Sequence, residues 1–168
     1  MQNFLIRRSF LLPLGLLLIL SLSLFVVVLA QGQPKAKAII LGVLILPVAT
    51  LFAESLFRRV VLNDVSITVH KPLREKSLLF ADLTAIDTVQ VRKRVFLTLS
   101  TEEDFIILSN AYANFPQLVA ELLTRVAPAV VSEETRVLAA DVPVKSADIV
   151  SCWVATLLMA LILCLQFA

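Results

Sequence analysis

The chain has 168 residues, of which 59% are hydrophobic and 17% are charged, and its mean hydropathy is +0.92. Soluble domains contain only about 45–50% apolar residues, so this composition excludes an ordinary soluble protein and indicates a membrane protein. The 15 Lys/Arg and 13 Asp/Glu residues leave a net charge of +2. A general nucleic-acid binder carries a strong basic excess, so we expect no nucleic-acid partner.

Three long apolar runs predict three membrane-spanning helices. They cover Ser9–Ala30, Ala38–Phe57 and Ile149–Ala168. A helix needs about 20 apolar residues to cross the hydrocarbon core, and its backbone groups must be satisfied within the segment. We therefore predict an N-terminal membrane hairpin over residues 1–57, with spans at about 9–30 and 38–57, and a C-terminal span over residues 148–168.

The basic residues beside the runs predict the orientation of the chain. Arg7–Arg8 precede the first run, Arg58–Arg59 follow the second, and Lys145 precedes the third. The loop between the first two runs holds only Lys35 and Lys37. Because cytoplasmic flanks are richer in Lys and Arg, we predict a multi-pass protein of the cell inner (cytoplasmic) membrane. The N-terminus and the polar middle of the chain would be cytoplasmic, and the C-terminus would be outside.

The first apolar run also allows a second interpretation. Arg7–Leu11 resembles a twin-arginine signal start, and Ala30 would suit a cleavage site before Gln31. The apolar region of a signal peptide is usually about 7–15 residues, which is shorter than this run. We therefore favour a retained span, and cleavage remains the alternative.

Two features inside the spans are candidate functional elements. Glu54 lies four residues before Arg58, a spacing that allows an ion pair at the interface, although an acid inside a membrane can also mark a proton or substrate path. Small residues recur at every fourth position of the last run and predict a helix-packing face. They are Cys152, Thr156, Ala160 and Cys164.

The polar middle of the chain predicts a small α+β domain over residues 58–127. Val65–Val69 alternates apolar and polar residues, which is typical of a half-buried strand, and Val60–Leu62 can pair with it. Further short strands are predicted at Leu78–Phe80, 86–91, 95–99 and 105–108. Phe115–Val126 has the spacing of an amphipathic helix, with Asn114 as its N-cap. Residues 128–147 are predicted to be a tether to the last span.

Three segments of this domain resemble the bacterial pleckstrin-homology-like (PH-like) domains of small membrane proteins. They are Val61–Ile67, Leu79–Ile86 and Arg94–Leu99. The resemblance covers about residues 58–127, and the added third span and Val65 at a position that is often glycine depart from the family pattern. It implies a curved, seven-stranded antiparallel barrel capped by one C-terminal helix, and a role in scaffolding or regulation at the membrane.

Nothing in the domain has the pattern of an active site. His70 is the only histidine, and it lies on the polar side of a predicted strand with no cysteine in the domain to join it as a metal ligand. We therefore expect no enzymatic activity and no cofactor. Six basic residues in two turns are candidates for contact with lipid headgroups: Lys71, Arg74, Lys76, Arg92, Lys93 and Arg94.

These observations lead to a non-enzymatic membrane protein whose PH-like domain is a scaffold or interaction module at the cytoplasmic face. The expected partners include membrane lipids. A further partner is expected to be another membrane protein, as in a larger membrane complex, or a second copy of the chain. Two alternatives stay open. One is a module that senses anionic lipids through the basic residues, and the other is an accessory subunit of a transporter or membrane enzyme that uses Glu54.

Overall fold

The computed structural model describes residues 2–140, 142 and 146–167. The chain divides into two compact units. The helical unit consists of Arg8–Leu56 and Ser146–Ala168, and the sheet unit consists of Met1–Arg7 and Phe57–Lys145. Lys145, which was used to predict orientation, and the adjoining end of the predicted tether lie outside the described residues.

The helical unit contains three long helices, which confirms the prediction of three apolar segments of spanning length. They are α1 (Arg8–Ala30), α2 (Lys35–Phe57) and a C-terminal helix, Ala147–Leu165, which is the fifth helix of the chain, α5. Each is long and apolar enough to cross a membrane. Their hydroxyl groups are satisfied locally, since Ser21 and Thr50 donate to the carbonyl oxygens of Leu17 and Leu46 in the preceding turn.

The sheet unit contains seven strands in two antiparallel sheets. The four-stranded sheet has the order β1 (Gln2–Leu5), β2 (Arg59–Leu62), β3 (Ser66–Lys71) and β4 (Arg74–Leu79). The three-stranded sheet has the order β5 (Ala85–Val91), β6 (Arg94–Ser100) and β7 (Phe105–Ser109). The described residues form these two sheets and no closed barrel.

Strand β1 is one of the elements that the sequence did not predict. It precedes the first long helix but pairs with β2, which follows the second, so that Phe4 lies opposite Val60. The same end of the chain also reaches the segment after β7. The Ala113 N–H donates to the Leu5 carbonyl at 2.7 Å, and the Arg7 N–H donates to the Ala111 carbonyl at 3.3 Å. Phe4 and Ile6 are consequently buried in the sheet unit.

The core of the sheet unit lies between the inner faces of the sheets and a short amphipathic helix. Leu62 and Ile67 from the first sheet, and Leu97 and Leu108 from the second, are fully buried. Helix α3 (Phe115–Leu123) adds a buried stripe of Phe115, Leu118, Val119 and Leu122. This confirms the predicted helix, although it ends before Val126. Asn114 occupies the predicted N-cap position in a left-handed conformation, and its side chain makes no capping hydrogen bond.

The segment predicted to be a tether is packed into the sheet unit as far as Ala140. After a 3-10 turn at Pro128–Val130, Val131 forms a parallel bridge with Ile86, and helix α4 (Glu133–Ala140) follows. The Ser132 N–H donates to the Ile86 carbonyl at 3.0 Å. A strand at the edge of a sheet has backbone groups that need partners, and this segment supplies them to β5.

The first of the two predicted basic turns is shorter in the structure. The sequence placed Lys71, Arg74 and Lys76 together in a turn, but β3 and β4 pair to the end of the hairpin, with Lys71 opposite Arg74. Only Pro72 and Leu73 form the turn. Charged side chains do not prevent strand pairing here because they extend from exposed positions, where they remain in water.

Candidate functional site

The first basic cluster, at the β3–β4 hairpin, separates into two environments. Lys71 and Arg74 are exposed and flank the turn. Lys76 instead forms an ion pair with Asp104 at 2.7 Å, and its ammonium group lies 5.1 Å from the centre of the Phe105 ring. Lys76 therefore connects β4 to the start of β7, and its charge is already balanced inside the sheet unit.

The second basic cluster forms the β5–β6 turn, which is held by a buried side chain. Arg92 has a positive φ of 57°, and the carbonyl of Lys93 accepts a hydrogen bond of 2.8 Å from the Asn110 Nδ2 group. The Asn110 Oδ1 atom accepts a hydrogen bond of 3.3 Å from the Val95 N–H, and only 1% of Asn110 is exposed. The six candidate residues therefore lie on hairpins of two different sheets and do not form one binding surface.

His70 lies on the outer face of the four-stranded sheet. Its Nδ1 atom is 3.2 Å from Glu75 Oε2, directly across the strand pair. In the described part of the chain, no group of three or more His, Cys, Asp or Glu side chains is arranged to hold a metal ion. The geometry around His70 is that of a cross-strand pair on a polar face.

A cavity of about 620 Å³ lies beside the end of β4 and the β6–β7 turn. Asp82, Glu102, Glu103 and Asp104 are among its lining residues. Asp104 is neutralised by Lys76, as described above. The cavity is open to solvent and its carboxylates stay hydrated, so it offers an acidic surface without the donor set of a catalytic or metal site.

The outer face of the three-stranded sheet carries exposed apolar side chains beside the polar residues Asp87 and Thr98. Val89 on β5 lies opposite Phe96 on β6, and Ile107 on β7 lies opposite Thr98 on β6. Val89 is 55% exposed, Phe105 is 56% exposed and Ile107 is 46% exposed. We call this surface the β5–β7 face and define it by these residues: Val89, Val91, Phe96, Phe105 and Ile107.

The sequence contained only part of the signal for the β5–β7 face. The alternation in β6 correctly separated Val95, Leu97 and Leu99 on the inside from Phe96 on the outside. Phe105–Leu108, by contrast, is a continuous apolar run, and such a run is typical of a strand that is buried on both faces. The structure buries Ile106 and Leu108 and leaves the two alternate side chains exposed.

In α5, three of the four residues of the predicted packing face are buried or partly buried. Thr156 is only 2% exposed, and Cys152 and Ala160 are partly buried, whereas Cys164 is exposed. The Thr156 Oγ1 atom lies 2.7 Å from the Cys152 carbonyl oxygen of the same helix and 3.0 Å from the Pro13 carbonyl oxygen of α1. The hydroxyl group therefore donates within α5 or across to α1, in the manner of polar contacts between membrane helices.

Comparison with known protein families, with curated proteins and with solved structures finds no match to this chain.

Proposed function

We propose that this chain is a non-enzymatic protein of the cytoplasmic membrane whose sheet unit is an interaction module for another membrane protein. The observation that carries this proposal is the β5–β7 face. Monomeric soluble domains rarely leave a contiguous apolar surface open, and such surfaces mark contact sites. The face belongs to a well-packed sheet, so its exposure does not result from a missing core.

The PH-like fold is part of the same proposal. The resemblance implies a seven-stranded antiparallel barrel capped by a helix, and the described residues form seven antiparallel strands, in sheets of four and three, with a helix after the last strand. Two features depart from it: β1 is separated from β2 by two long helices, and the sheets do not close. PH-like domains serve as scaffolds, and a scaffold needs a contact surface rather than catalytic side chains.

The chemistry of the face favours an apolar contact over an electrostatic one. The sheet unit contains 12 Lys/Arg residues, including Arg7, and 11 Asp/Glu residues, so its net charge of +1 is too small to attract a partner. In the helical unit, α2 and α5 each bury only 6% of their apolar window. These open helix surfaces are available to the spans of a partner in the same bilayer, which favours another membrane protein over a soluble one.

Site-specific photocrosslinking in native membranes tests the interaction. A photoreactive amino acid would replace Ile107 or Val89 on the β5–β7 face, and Ser77 on the outer face of the other sheet as the matched control. We expect ultraviolet light to produce one discrete crosslinked band from positions 107 and 89 and none from position 77. A partner of a different mass supports the proposal, whereas a band at twice the mass of the chain would mean self-association.

Equal labelling at all three positions, or no crosslink from the β5–β7 face, would refute the interaction module. Ile107→Asp should remove the band obtained from position 89, and Val89→Asp should remove the band obtained from position 107. The chain should accumulate normally in both cases, because both side chains are exposed and contribute little to folding.

The proposed orientation has its own test. A reporter fused after Ser109 should be active only on the cytoplasmic side, and one fused after Ala168 only on the outer side. Both reporters on the same side would contradict the three-span topology, and an exchange of the two signals would reverse the orientation.

A further inference from the structure

The tip of the β3–β4 hairpin lies at one end of the strands of the four-stranded sheet, which we call the edge. At this end the chain leaves the sheet unit toward α1 and returns to it from α2. Four residues from the four strands are aligned across this edge: Leu5, Arg59, His70 and Glu75. Arg7 is the last residue of the first segment of the unit and Phe57 is the first of the second. Lys71, Pro72, Leu73 and Arg74 extend beyond this row, past the level of Arg59.

The turn of this hairpin presents an apolar side chain with no neighbours to cover it. Leu73 is 95% exposed, which is more than any other large hydrophobic residue among those described. A leucine at a hairpin tip is not needed for the turn and contributes nothing to the core. Single exposed hydrophobic residues are common on protein surfaces, so Leu73 is informative only together with the cationic residues around it.

The charged residues nearest to Leu73 in this hairpin are cationic. Lys71 and Arg74 are exposed, and Arg59, the neighbour of His70 on β2, is exposed as well. Within the described part of the chain, none of these three side chains has an ion-pair partner. The only carboxylate in the aligned row is that of Glu75, which is already beside His70. The edge is therefore locally positive, although the unit as a whole has a net charge of only +1, from 12 Lys/Arg and 11 Asp/Glu residues.

From this arrangement we propose that the Lys71–Arg74 hairpin tip contacts the surface of the bilayer that holds the three spans. Leu73 inserts among the headgroups, and Lys71 and Arg74 contact anionic lipid phosphates. An apolar side chain between two long cationic ones suits this interface, because the leucine leaves water while the charged ends remain at headgroup level. The first apolar helix starts three residues after Leu5, and the second ends two residues before Arg59, so the chain connects this end of the sheet directly to two of the predicted spans.

The other four basic residues that the sequence offered for lipid contact are not part of this proposal. Lys76 is paired with Asp104, and the Arg92–Arg94 turn is fixed by Asn110 without a comparably exposed apolar side chain at its tip. Of the six residues that the sequence offered for lipid contact, the structure favours Lys71 and Arg74 and adds Leu73. The inference goes beyond the proposed interaction module and does not depend on it, because the β5–β7 face lies on the other sheet.

Fluorescence quenching on the full-length chain tests the contact. Cys152 and Cys164 would be replaced by alanine, and a single cysteine at position 73 would carry an environment-sensitive fluorophore. The purified protein would be reconstituted into liposomes of phosphatidylcholine with phosphatidylglycerol, with nitroxide quenchers attached to the lipid. The matched control is the same label at Glu103, an exposed residue of the β6–β7 turn.

We expect roughly threefold stronger quenching at position 73 than at position 103, with a blue-shifted emission at position 73 only. The double variant Lys71→Glu with Arg74→Glu should lower the quenching at position 73 to the level of the control. Pure phosphatidylcholine liposomes should also lower it, and added inorganic phosphate should not restore it. Equal quenching at the two positions would overturn the proposal, and quenching unchanged by charge reversal would overturn the assignment of anionic lipid.

Discussion

The two sheets of the sheet unit share an antiparallel architecture but differ in their outer faces. The centre of the four-stranded sheet presents polar pairs: Thr68 and Ser77 share a hydrogen bond of 3.0 Å, and His70 lies beside Glu75. Exposed leucines, Leu5 and Leu79, lie only on its two edge strands. The three-stranded sheet presents Val89, Phe96 and Ile107 across all three of its strands, beside Asp87 and Thr98. Inner faces must be apolar to make a core, whereas outer faces are free to vary, so the apolar outer face is the one that indicates an interaction.

The sheets also differ in how their edges are completed. The four-stranded sheet obtains β1 from residues that precede two long helices, so β1 and β2 come from segments more than 50 residues apart. The three-stranded sheet is a continuous meander whose β5 edge is covered by the segment around Val131–Thr135. Both sheets therefore depend on a segment outside their own hairpins. Two substitutions can measure how much each segment contributes to the free energy of unfolding.

The largest effect is expected at β1. Phe4 is 5% exposed and lies opposite Val60, so Phe4→Ala would leave a cavity at the edge of the core. We expect the free energy of unfolding of the sheet unit to fall by about 3 kcal/mol, as for other buried phenylalanines. The measurement is urea unfolding in mild detergent, followed by the protease resistance of the sheet unit.

Leu5→Ala is the matched control for β1, because Leu5 is the next residue of the strand but is 54% exposed. Its expected effect on the free energy of unfolding is below about 0.5 kcal/mol. If Phe4→Ala were as mild as this control, β1 would not be an integral strand of the four-stranded sheet.

A smaller effect is expected where α4 covers β5. Thr135 is fully buried, and its Oγ1 atom lies 2.8 Å from Thr88 Oγ1, 2.9 Å from Ser132 Oγ and 3.2 Å from the Ile86 carbonyl. Thr135→Val keeps the shape but removes these hydrogen bonds, so we expect a loss of about 1–2 kcal/mol. Hydrogen exchange at the Ser132 amide should become faster, because this amide donates to Ile86.

Thr98→Val is the control for this substitution. Thr98 is half-buried on the outer face, where its side chain has no hydrogen bond among the described residues. The change should leave both the free energy of unfolding and the Ser132 exchange rate nearly unaltered. Fast exchange at Ser132 already in the unaltered chain would show that residues 132–135 are a free tether, and unchanged exchange in Thr135→Val would show that the Thr135 hydroxyl does not hold this segment.

Strand β1 also bears on the two interpretations of the first apolar run. Cleavage after Ala30 would remove β1, expose the edge of β2 and leave the Ala113 N–H without the Leu5 carbonyl. A retained span avoids all three losses. The pairing therefore supports retention, and it requires the N-terminus and the sheet unit to be on the same side of the membrane.

Much of the fold could be predicted from local patterns. Apolar runs of about 20 residues were enough for the three long helices. Alternation was enough for the β2–β3 pair and for β6, and the i, i+3, i+4 spacing was enough for α3. In each case the signal lies within the segment, because its own side chains must divide between core and solvent or lie entirely in lipid.

The missed elements carry too little signal of their own. Gln2–Leu5 is four residues long and adjoins an arginine pair, so nothing in it distinguishes a strand from the flank of a span. Helix α4 buries only Thr135 and Leu138, and its eight residues are too few for a clear period. Lys71–Lys76 is rich in charge, which is more typical of a loop than of paired strands.

Composition and periodicity therefore predicted three helices long and apolar enough to cross a membrane, together with one small α+β domain. Only the tertiary structure could join β1 to β2, place residues 131–135 on the edge of β5, and separate Leu73 and the β5–β7 face from the apolar residues of the core. The physical reason is that backbone pairing across a sheet edge is nearly independent of side-chain identity, so a strand's partner is chosen by geometry between distant segments. An exposed leucine and a buried one are the same residue in the sequence, and only their packing tells them apart.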